Sequence, residues 1–115
     1  MTDKVVILVS AASIELCRNI AQQLVENKLA ACVNITPRVE SIYRWEGKIA
    51  YDNEYQLFIK STLELFQEIK AAIANLHTYE NPEIICLPII EGSKEYLQWL
   101  GDSVKPVDSK DAAER

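Results

Sequence analysis

The sequence contains little glycine and few of the residues that mark common catalytic sites. Only three of its 115 residues are glycine, so a fold with many tight glycine turns is excluded. It has one histidine, His77, and this is the only imidazole that could activate a serine or cysteine nucleophile. No GxxxxGK, GxGxxG or HExxH segment occurs, so nucleotide-binding loops and zinc-protease helices have no support. We therefore predict that the protein is not an enzyme.

The chain also lacks clusters of basic residues and long apolar runs. It carries 12 Lys and Arg against 17 Asp and Glu, a formal net charge of −5. Nucleic-acid binding requires clustered cations that displace counterions from phosphates, and the cations here are scattered. No apolar run approaches the ~20 residues that span a bilayer. We predict neither a nucleic-acid partner nor a membrane partner.

The three cysteines form no CxxC pair, and their number is odd. Cys17, Cys32 and Cys86 each lie within an apolar run, which is typical of reduced thiols that act as small core hydrophobes. Free thiols indicate a reducing compartment. The first residues lead directly into an apolar strand without the architecture of a signal peptide. These observations predict a cytoplasmic protein that needs no disulfide.

Hydrophobic periodicity predicts a strand and then a helix at the start of the chain. Residues 5–9 form an unbroken apolar run that is too short for a helix, which predicts a central strand buried on both faces. Apolar residues then recur at helical spacing over residues 14–25. We predict an amphipathic helix there, capped by Ser10 or Ser13 and ending near residue 28.

The middle of the chain predicts a long β-hairpin. Strand character over residues 30–45 is interrupted at Pro37, which cannot donate to a ladder and indicates an edge position, a bulge or a bend. A turn at Gly47 leads into a second strand over residues 49–59. Two long strands joined by a short turn form a hairpin that we expect to project beyond the core.

The second half of the chain repeats the pattern. Ser61 followed by Glu64 matches a capping box, which predicts the start of a second helix. Residues 82–90 predict another buried strand, although Pro88 places it near an edge or a bulge. A short third helix is predicted after Ser93.

This order, β-α-β-β-α-β plus a terminal helix, predicts an α+β fold. Right-handed crossovers lead to the ferredoxin-like arrangement, an antiparallel sheet with helices on one face. We predict one domain over residues 1–103, followed by a polar, frayed tail over residues 104–115. The second sheet face is rich in apolar residues and the hairpin edges are unpaired, so we expect neighbouring copies to cover them.

One enzyme class with this element order can be tested on the sequence. Acylphosphatases hold a phosphate with an arginine in the loop after the first strand. That loop here contains Ser10 and Ser13 separated by two alanines, with no arginine. The absence argues against that chemistry.

A set of aromatic and polar residues falls at strand ends and loops instead of regular core positions. Tyrosine and tryptophan in such places pack while offering one polar group. Two interpretations stay open: an aromatic subunit interface, or a pocket between chains for a metal ion or a small ligand. The residues are Tyr43, Trp45, Lys60, His77, Tyr79, Glu83 and Trp99.

Metal ligation has a small set of candidate residues. His77, Glu83 and Cys32 are the plausible ligands, because imidazole and thiolate suit copper and zinc. No two of them stand at helical ligand spacing. Such a site would have to be assembled by the fold or between chains. The simpler interpretation of a lone histidine after a helix is a structural hydrogen bond or cap.

Five segments in register resemble the CutA family of divalent-cation tolerance proteins. The similarity runs from about residue 4 to residue 103 without large gaps. Each segment alone is a weak signal, whereas five in order are highly specific. They are LAACVNI (29–35), SIYRWEGKI (41–49), LFIKS (57–61), HTYENPEII (77–85) and YLQWL (96–100).

The resemblance implies a ferredoxin-like homotrimer, similar in architecture to the PII-type signalling proteins. It implies no required cofactor and a role in the response to metal ions, with binding of copper or another divalent ion. The alternative is a PII-like module that binds a small anionic ligand or a partner protein and has no direct metal role. Some copper-linked members carry a cysteine in the first strand and a histidine pair; this chain has Val9 and Leu76-His77 there, and Thr78 replaces a frequent proline.

Overall fold

The structure is a computed structural model that describes residues 2–107. The strands pair in the order β2-β3-β1-β4, and every pairing is antiparallel. This order confirms the predicted ferredoxin-like α+β fold. The elements are β1 (Lys4–Ala11), α1 (Ile14–Glu26), β2 (Cys32–Trp45), β3 (Lys48–Thr62), a 3-10 turn (Leu63–Leu65), α2 (Phe66–Leu76), β4 (Ile84–Pro88) and α3 (Lys94–Ser103).

The two faces of the sheet differ in burial. Successive side chains of β1 alternate between them, and only Val5, Ile7, Val9 and Ala11 are buried. These residues form one core with the apolar sides of α1 and α2. The opposite side, which we call the open face, carries the half-buried alternate residues of β1. The predicted burial of β1 on both faces is therefore wrong for a single chain, because no described element covers most of the open face.

Strand β4 lies at an edge of the sheet and pairs only with β1. Its residues Ile84 and Cys86 pack against the core, whereas Ile85 and Leu87 point to the open face and are 45% and 43% exposed. The edge position indicated by Pro88 is confirmed. The full burial predicted for this strand is not confirmed, because no described element covers its outward side chains.

Two of the three helix caps predicted from serine residues are present in the structure. The hydroxyl of Ser13 accepts a hydrogen bond of 3.1 Å from the backbone N–H of Leu16 and caps α1. Ser93 caps α3 in the same way, through the backbone N–H of Tyr96. Both confirm the preference of serine for this position.

The predicted capping box at Ser61 is wrong. Ser61 lies within β3 with its side chain fully buried, and its hydroxyl donates a hydrogen bond of 2.5 Å to the carbonyl oxygen of Leu29. Helix α2 begins at Phe66, after the 3-10 turn, without a side-chain cap. The buried carbonyl needs a donor, and that requirement outweighs the local capping pattern.

A β-bulge changes the faces that the residues of β2 present. The pairing register with β3 shifts between Thr36 and Val39, around Pro37, which confirms the predicted irregularity. Side chains normally alternate along a strand, so one extra residue reverses the parity beyond it. Tyr43 and Trp45 therefore share the open face with the even-numbered residues of β3. The hairpin also extends past the last residue of β1, as predicted.

The first residues of the predicted tail are anchored to the domain. Val104 is buried, and the backbone N–H of Lys105 donates to the carbonyl of Lys28 at 2.8 Å. The ammonium group of Lys105 also lies 2.6 Å from the carboxylate of Glu68. Residues 104–107 are thus packed instead of frayed, and residues 108–115 lie outside the described part of the chain. Within residues 2–107 no helix is long and apolar enough to cross a membrane.

Candidate functional site

A cleft of about 800 Å³ lies where the projecting hairpin meets the loop between α2 and β4. The hairpin supplies one wall from its open face, and residues 78–83 supply the other. We call it the hairpin cleft. It brings together four of the predicted site residues, Tyr43, Trp45, Tyr79 and Glu83.

Tyr79 and Glu54 join the two walls of the cleft. The hydroxyl of Tyr79 donates a hydrogen bond of 2.8 Å to Oε2 of Glu54. Glu54 is only 8% exposed, which is unusual for a carboxylate. Burial, followed by the hydrogen bond and the charge of Glu54, raises the pKa of Tyr79 well above its ordinary value. The phenol therefore stays protonated and acts as a donor at physiological pH.

Tyr43 and Asp52 repeat this arrangement nearer the tip of the hairpin. The hydroxyl of Tyr43 donates to Oδ2 of Asp52, and both side chains are exposed. That hydrogen bond is the main reason why the pKa of Tyr43 is raised. Asp52 and Glu54 stand two positions apart on one face of β3, so two tyrosine–carboxylate pairs follow each other along the cleft.

His77 holds the start of the loop against β1. Its Nε2 lies 2.8 Å from the carbonyl oxygen of Ser10, and its Nδ1 accepts from the backbone N–H of Tyr79 at 3.0 Å. An amide N–H can only donate and a carbonyl can only accept, so Nδ1 is unprotonated and Nε2 carries the proton. Both ring nitrogens are therefore engaged. A metal could bind His77 only by replacing one of these bonds.

Three of the predicted site residues lie away from the cleft. The ammonium group of Lys60 contacts the side-chain oxygen of Asn34 on the neighbouring strand. Trp99 lies on α3 beside Tyr96, with ring centroids 5.5 Å apart. Cys32 pairs with Lys60 in the sheet, and its thiol faces Asn34.

The predicted metal ligands are not assembled by one chain. Glu83 lies beside Gln56, with 3.5 Å between Oε2 and Nε2. Cys32 pairs with Lys60, which is four residues beyond Gln56 on β3. The Cα atoms of Gln56 and Lys60 are therefore about 13 Å apart. Residues 2–107 contain no group of three or more His, Cys, Asp or Glu side chains that could hold a metal ion. Metal ligation by His77, Glu83 and Cys32 stays a prediction.

Asp52 and Glu54 form an acidic wall of the cleft but were not among the predicted site residues. A signal was present, because Asp52, Asn53 and Glu54 interrupt the apolar and aromatic residues of β3. The importance of Glu54 depended on the bulge, which sets Tyr43 and Trp45 on the same face.

The structure also places free thiols at all three cysteines, and burial raises the pKa of Cys17 and Cys86.

Comparison with known proteins agrees with this architecture. A family model described as CutA1 divalent ion tolerance protein matches residues 5–103. This range includes both walls of the cleft and all four strands, except for Lys4 at the start of β1. The chain belongs to the CutA1 family. The resemblance seen in the sequence is thereby confirmed.

Relatives in the CutA1 family match nearly the whole described domain. A divalent-cation tolerance protein CutA from Thermus thermophilus is 48% identical over 98 residues, covering 85% of this chain and 95% of that protein. A solved structure of divalent cation tolerance protein from Thermus thermophilus is 46% identical with a TM-score of 0.87, covering 89% of this chain and 99% of that one. The chloroplastic protein CutA of Arabidopsis thaliana is 42% identical over 101 residues, 88% of this chain and 56% of that protein. Since this relative is chloroplastic, a cytoplasmic location stays a prediction.

Proposed function

We propose that this protein contributes to tolerance of divalent cations and that it does so as a homotrimer. The observation that carries the proposal is the family match over residues 5–103, together with 48% identity to a protein named for divalent-cation tolerance. No enzymatic step is assigned, because the single imidazole is held in structural hydrogen bonds.

The open face supports assembly from several copies. Ile85 and Leu87 expose large apolar surfaces beside the half-buried Val6 and Leu8 of the adjacent strand. Contiguous apolar surface of this kind marks interaction sites in folded proteins. The outer edges of β2 and β4 carry no partner strand within the described residues. Copies of the same chain would cover both features, and the choice of three copies comes from the family resemblance.

Direct contact with a metal ion is the part of the proposal that needs its own test. Both ring nitrogens of His77 are occupied by hydrogen bonds. Copper or another divalent ion would therefore bind more readily to the exposed carboxylate of Glu83 and the thiol of Cys32. These groups are separated in one chain, so a shared site would need side chains from more than one copy.

The competing proposal is a binding module with no direct metal role. A volume of about 800 Å³ is in the range of small-molecule sites. Four carboxylates line the hairpin cleft against the single guanidinium of Arg44, so this cleft disfavours an anion. Lys60, which motivated an anionic ligand, contacts Asn34 outside the cleft.

Growth under metal stress tests the proposed role. A bacterial strain that lacks its own family member would be challenged with graded copper, zinc and cobalt, with and without the gene for this protein. We expect the gene to raise the tolerated concentration of at least one metal. Equal growth of the two strains at every concentration would refute the role.

Calorimetric titration with copper and zinc separates direct binding from an indirect role. We expect Glu83→Gln and Cys32→Ser to weaken binding, and the matched variant Glu91→Gln, at an exposed site outside the cleft, to leave it unchanged. Metal tolerance without any measurable heat of binding would favour the module without a direct metal role.

A further inference from the structure

The side of the projecting hairpin opposite to the open face exposes large apolar side chains, and we call it the reverse face. Side chains alternate along each strand, so beyond the bulge the even-numbered residues of β2 and the odd-numbered residues of β3 share this side. Ile42, Ile49 and Tyr51 lie there and are 60%, 52% and 67% exposed. The whole reverse face consists of Glu40, Ile42, Arg44, Ile49, Tyr51 and Asn53.

The three apolar residues of the reverse face form one continuous patch. Ile42 and Tyr51 are directly paired across the two strands, and Ile49 lies two positions from Tyr51 on the same face of β3. Their exposure shows that no element within residues 2–107 covers them. Continuous exposed apolar patches mark interaction sites, and a two-stranded ribbon is marginally stable without packing on one face. A partner is therefore expected on this side of the hairpin.

The charges beside the patch indicate which partner fits it. Glu40 and Arg44 flank Ile42 on β2, each two positions away and on the same face. Both are exposed, and neither forms an ion pair within the described part of the chain. An acid and a base at equal distances from a central isoleucine make the pattern complementary to itself.

A two-fold axis that crosses the strands at the Ile42–Tyr51 pair satisfies this pattern. Two reverse faces stacked about that axis run antiparallel, so each Ile42 packs on its counterpart in the other copy. Glu40 of each copy then lies opposite Arg44 of the other. Contacts in which both copies use the same patch are the commonest kind between identical chains.

The reverse face is separate from the surface assigned to the trimer. The proposed trimer covers the open face, which carries Ile85 and Leu87, whereas the reverse face is on the other side of the hairpin. Ile42 and Arg44 also border the hairpin cleft, because β2 is the outer strand of a ribbon that is only two strands wide there. One copy can therefore use both surfaces at once.

We propose that the reverse face binds the reverse face of a second copy about a two-fold axis, with the apolar patch at the centre and two Glu40–Arg44 ion pairs beside it. The contact doubles whichever assembly the open face forms, which gives six chains from two of the proposed trimers. It is independent of the metal-tolerance role.

Sedimentation equilibrium of the full-length protein over a range of concentrations tests the proposal. We expect the wild type to reach a six-chain mass that falls to three chains on dilution. Ile42→Glu and Tyr51→Glu place a charge in the patch, and each should raise the dissociation constant of the doubling step at least tenfold. Leu63→Glu is the matched control, because Leu63 is 58% exposed but follows the opposite end of β3. It should associate as the wild type does.

Charge exchange tests the two-fold pairing itself. Glu40→Arg and Arg44→Glu each place like charges opposite one another across the axis, so we expect either variant alone to lose the doubled mass. An equimolar mixture of the two variants makes the facing charges complementary again and should regain it. The double variant Glu40→Arg/Arg44→Glu should regain it as well. Raised salt should weaken the doubling, since exposed ion pairs are screened.

Three outcomes would overturn the proposal, provided that circular dichroism shows each variant to be folded. They are a wild type that never exceeds the mass of Tyr51→Glu, a doubled mass that survives in Tyr51→Glu, and a mixture of the charge variants that does not associate. The trimer is judged separately. A wild type that passes from one chain to two, instead of from three to six, would refute the trimer and still support the reverse-face contact.

Discussion

The hydroxyl of Tyr79 donates a hydrogen bond of 2.8 Å to the buried carboxylate of Glu54. This contact ties the loop after α2 to the centre of the projecting hairpin, 25 residues away in sequence. His77, two residues before the tyrosine, fastens the same loop to the carbonyl of Ser10 on β1. Together the two contacts hold the walls of the hairpin cleft in place.

Tyr79→Phe should destabilise the protein by about 1–3 kcal/mol, because it removes the donor from a buried carboxylate. Urea unfolding at one fixed protein concentration measures the difference, since an oligomer's stability depends on concentration. Tyr96→Phe is the matched control, because the hydroxyl of Tyr96 makes no hydrogen bond with residues 2–107. Equal losses in the two variants would contradict the role of the contact.

Alkaline pH should weaken the fold through Tyr79. Its pKa is raised in the folded state, so the folded protein retains this proton more tightly than the unfolded chain does. The stability that Tyr79 contributes is fully present below its pKa in the unfolded chain, about 10. It is lost as pH rises toward its higher pKa in the folded protein. We expect the free energy of unfolding to fall above about pH 10, and to fall less steeply in Tyr79→Phe. Parallel pH profiles of the two proteins would argue against this assignment.

His77→Ala should loosen the loop of the cleft more than it alters the core. The substitution removes the bonds to the Ser10 carbonyl and to the Tyr79 amide. Hydrogen exchange at the Tyr79 amide reports the second bond directly, and we expect its protection to fall at least tenfold. Thr78→Ala, at the exposed position between them, is the control and should retain protection. Unchanged exchange in His77→Ala would show that the imidazole does not hold the loop.

Ser61→Ala distinguishes a core hydrogen bond from a helix cap. Loss of the donor leaves the Leu29 carbonyl buried without its partner, and we expect a cost of about 1–3 kcal/mol. Glu64→Ala should change stability by less than about 0.5 kcal/mol, because no capping box exists for it to complete. Similar losses in both variants would instead favour the capping box.

Leu87→Glu should dissociate the proposed trimer, because it places a charge on the open face. Val25→Glu is a closely matched control: both side chains are 43% exposed, but Val25 lies on α1, away from the open face. Light scattering after size-exclusion chromatography gives the mass of each variant. We expect a trimer mass for the wild type and Val25→Glu, and a smaller mass for Leu87→Glu. A trimer that survives in Leu87→Glu would place the interface elsewhere.

The sequence by itself determined the order of the elements and several of their boundaries. Each followed from local chemistry: Ser13 and Ser93 cap helices, Pro37 breaks the ladder, and Gly47 at a φ of 77° turns the hairpin. Five segments in register were also enough to indicate the family. These features depend on residues close together in the chain, where period and propensity act directly.

Only the tertiary structure decided which distant side chains meet. An edge position, a bulge or a bend was predicted at Pro37, but the bulge and its effect on Tyr43 appeared only in the paired register with β3. Cys32 lies on β2 and Glu83 in the loop before β4, and the two remain apart, whereas Glu54 and Tyr79 come together across the cleft. Ser61 likewise serves a distant carbonyl instead of its own helix. The physical reason is burial, since a buried polar group takes whichever partner the packed chain brings within reach.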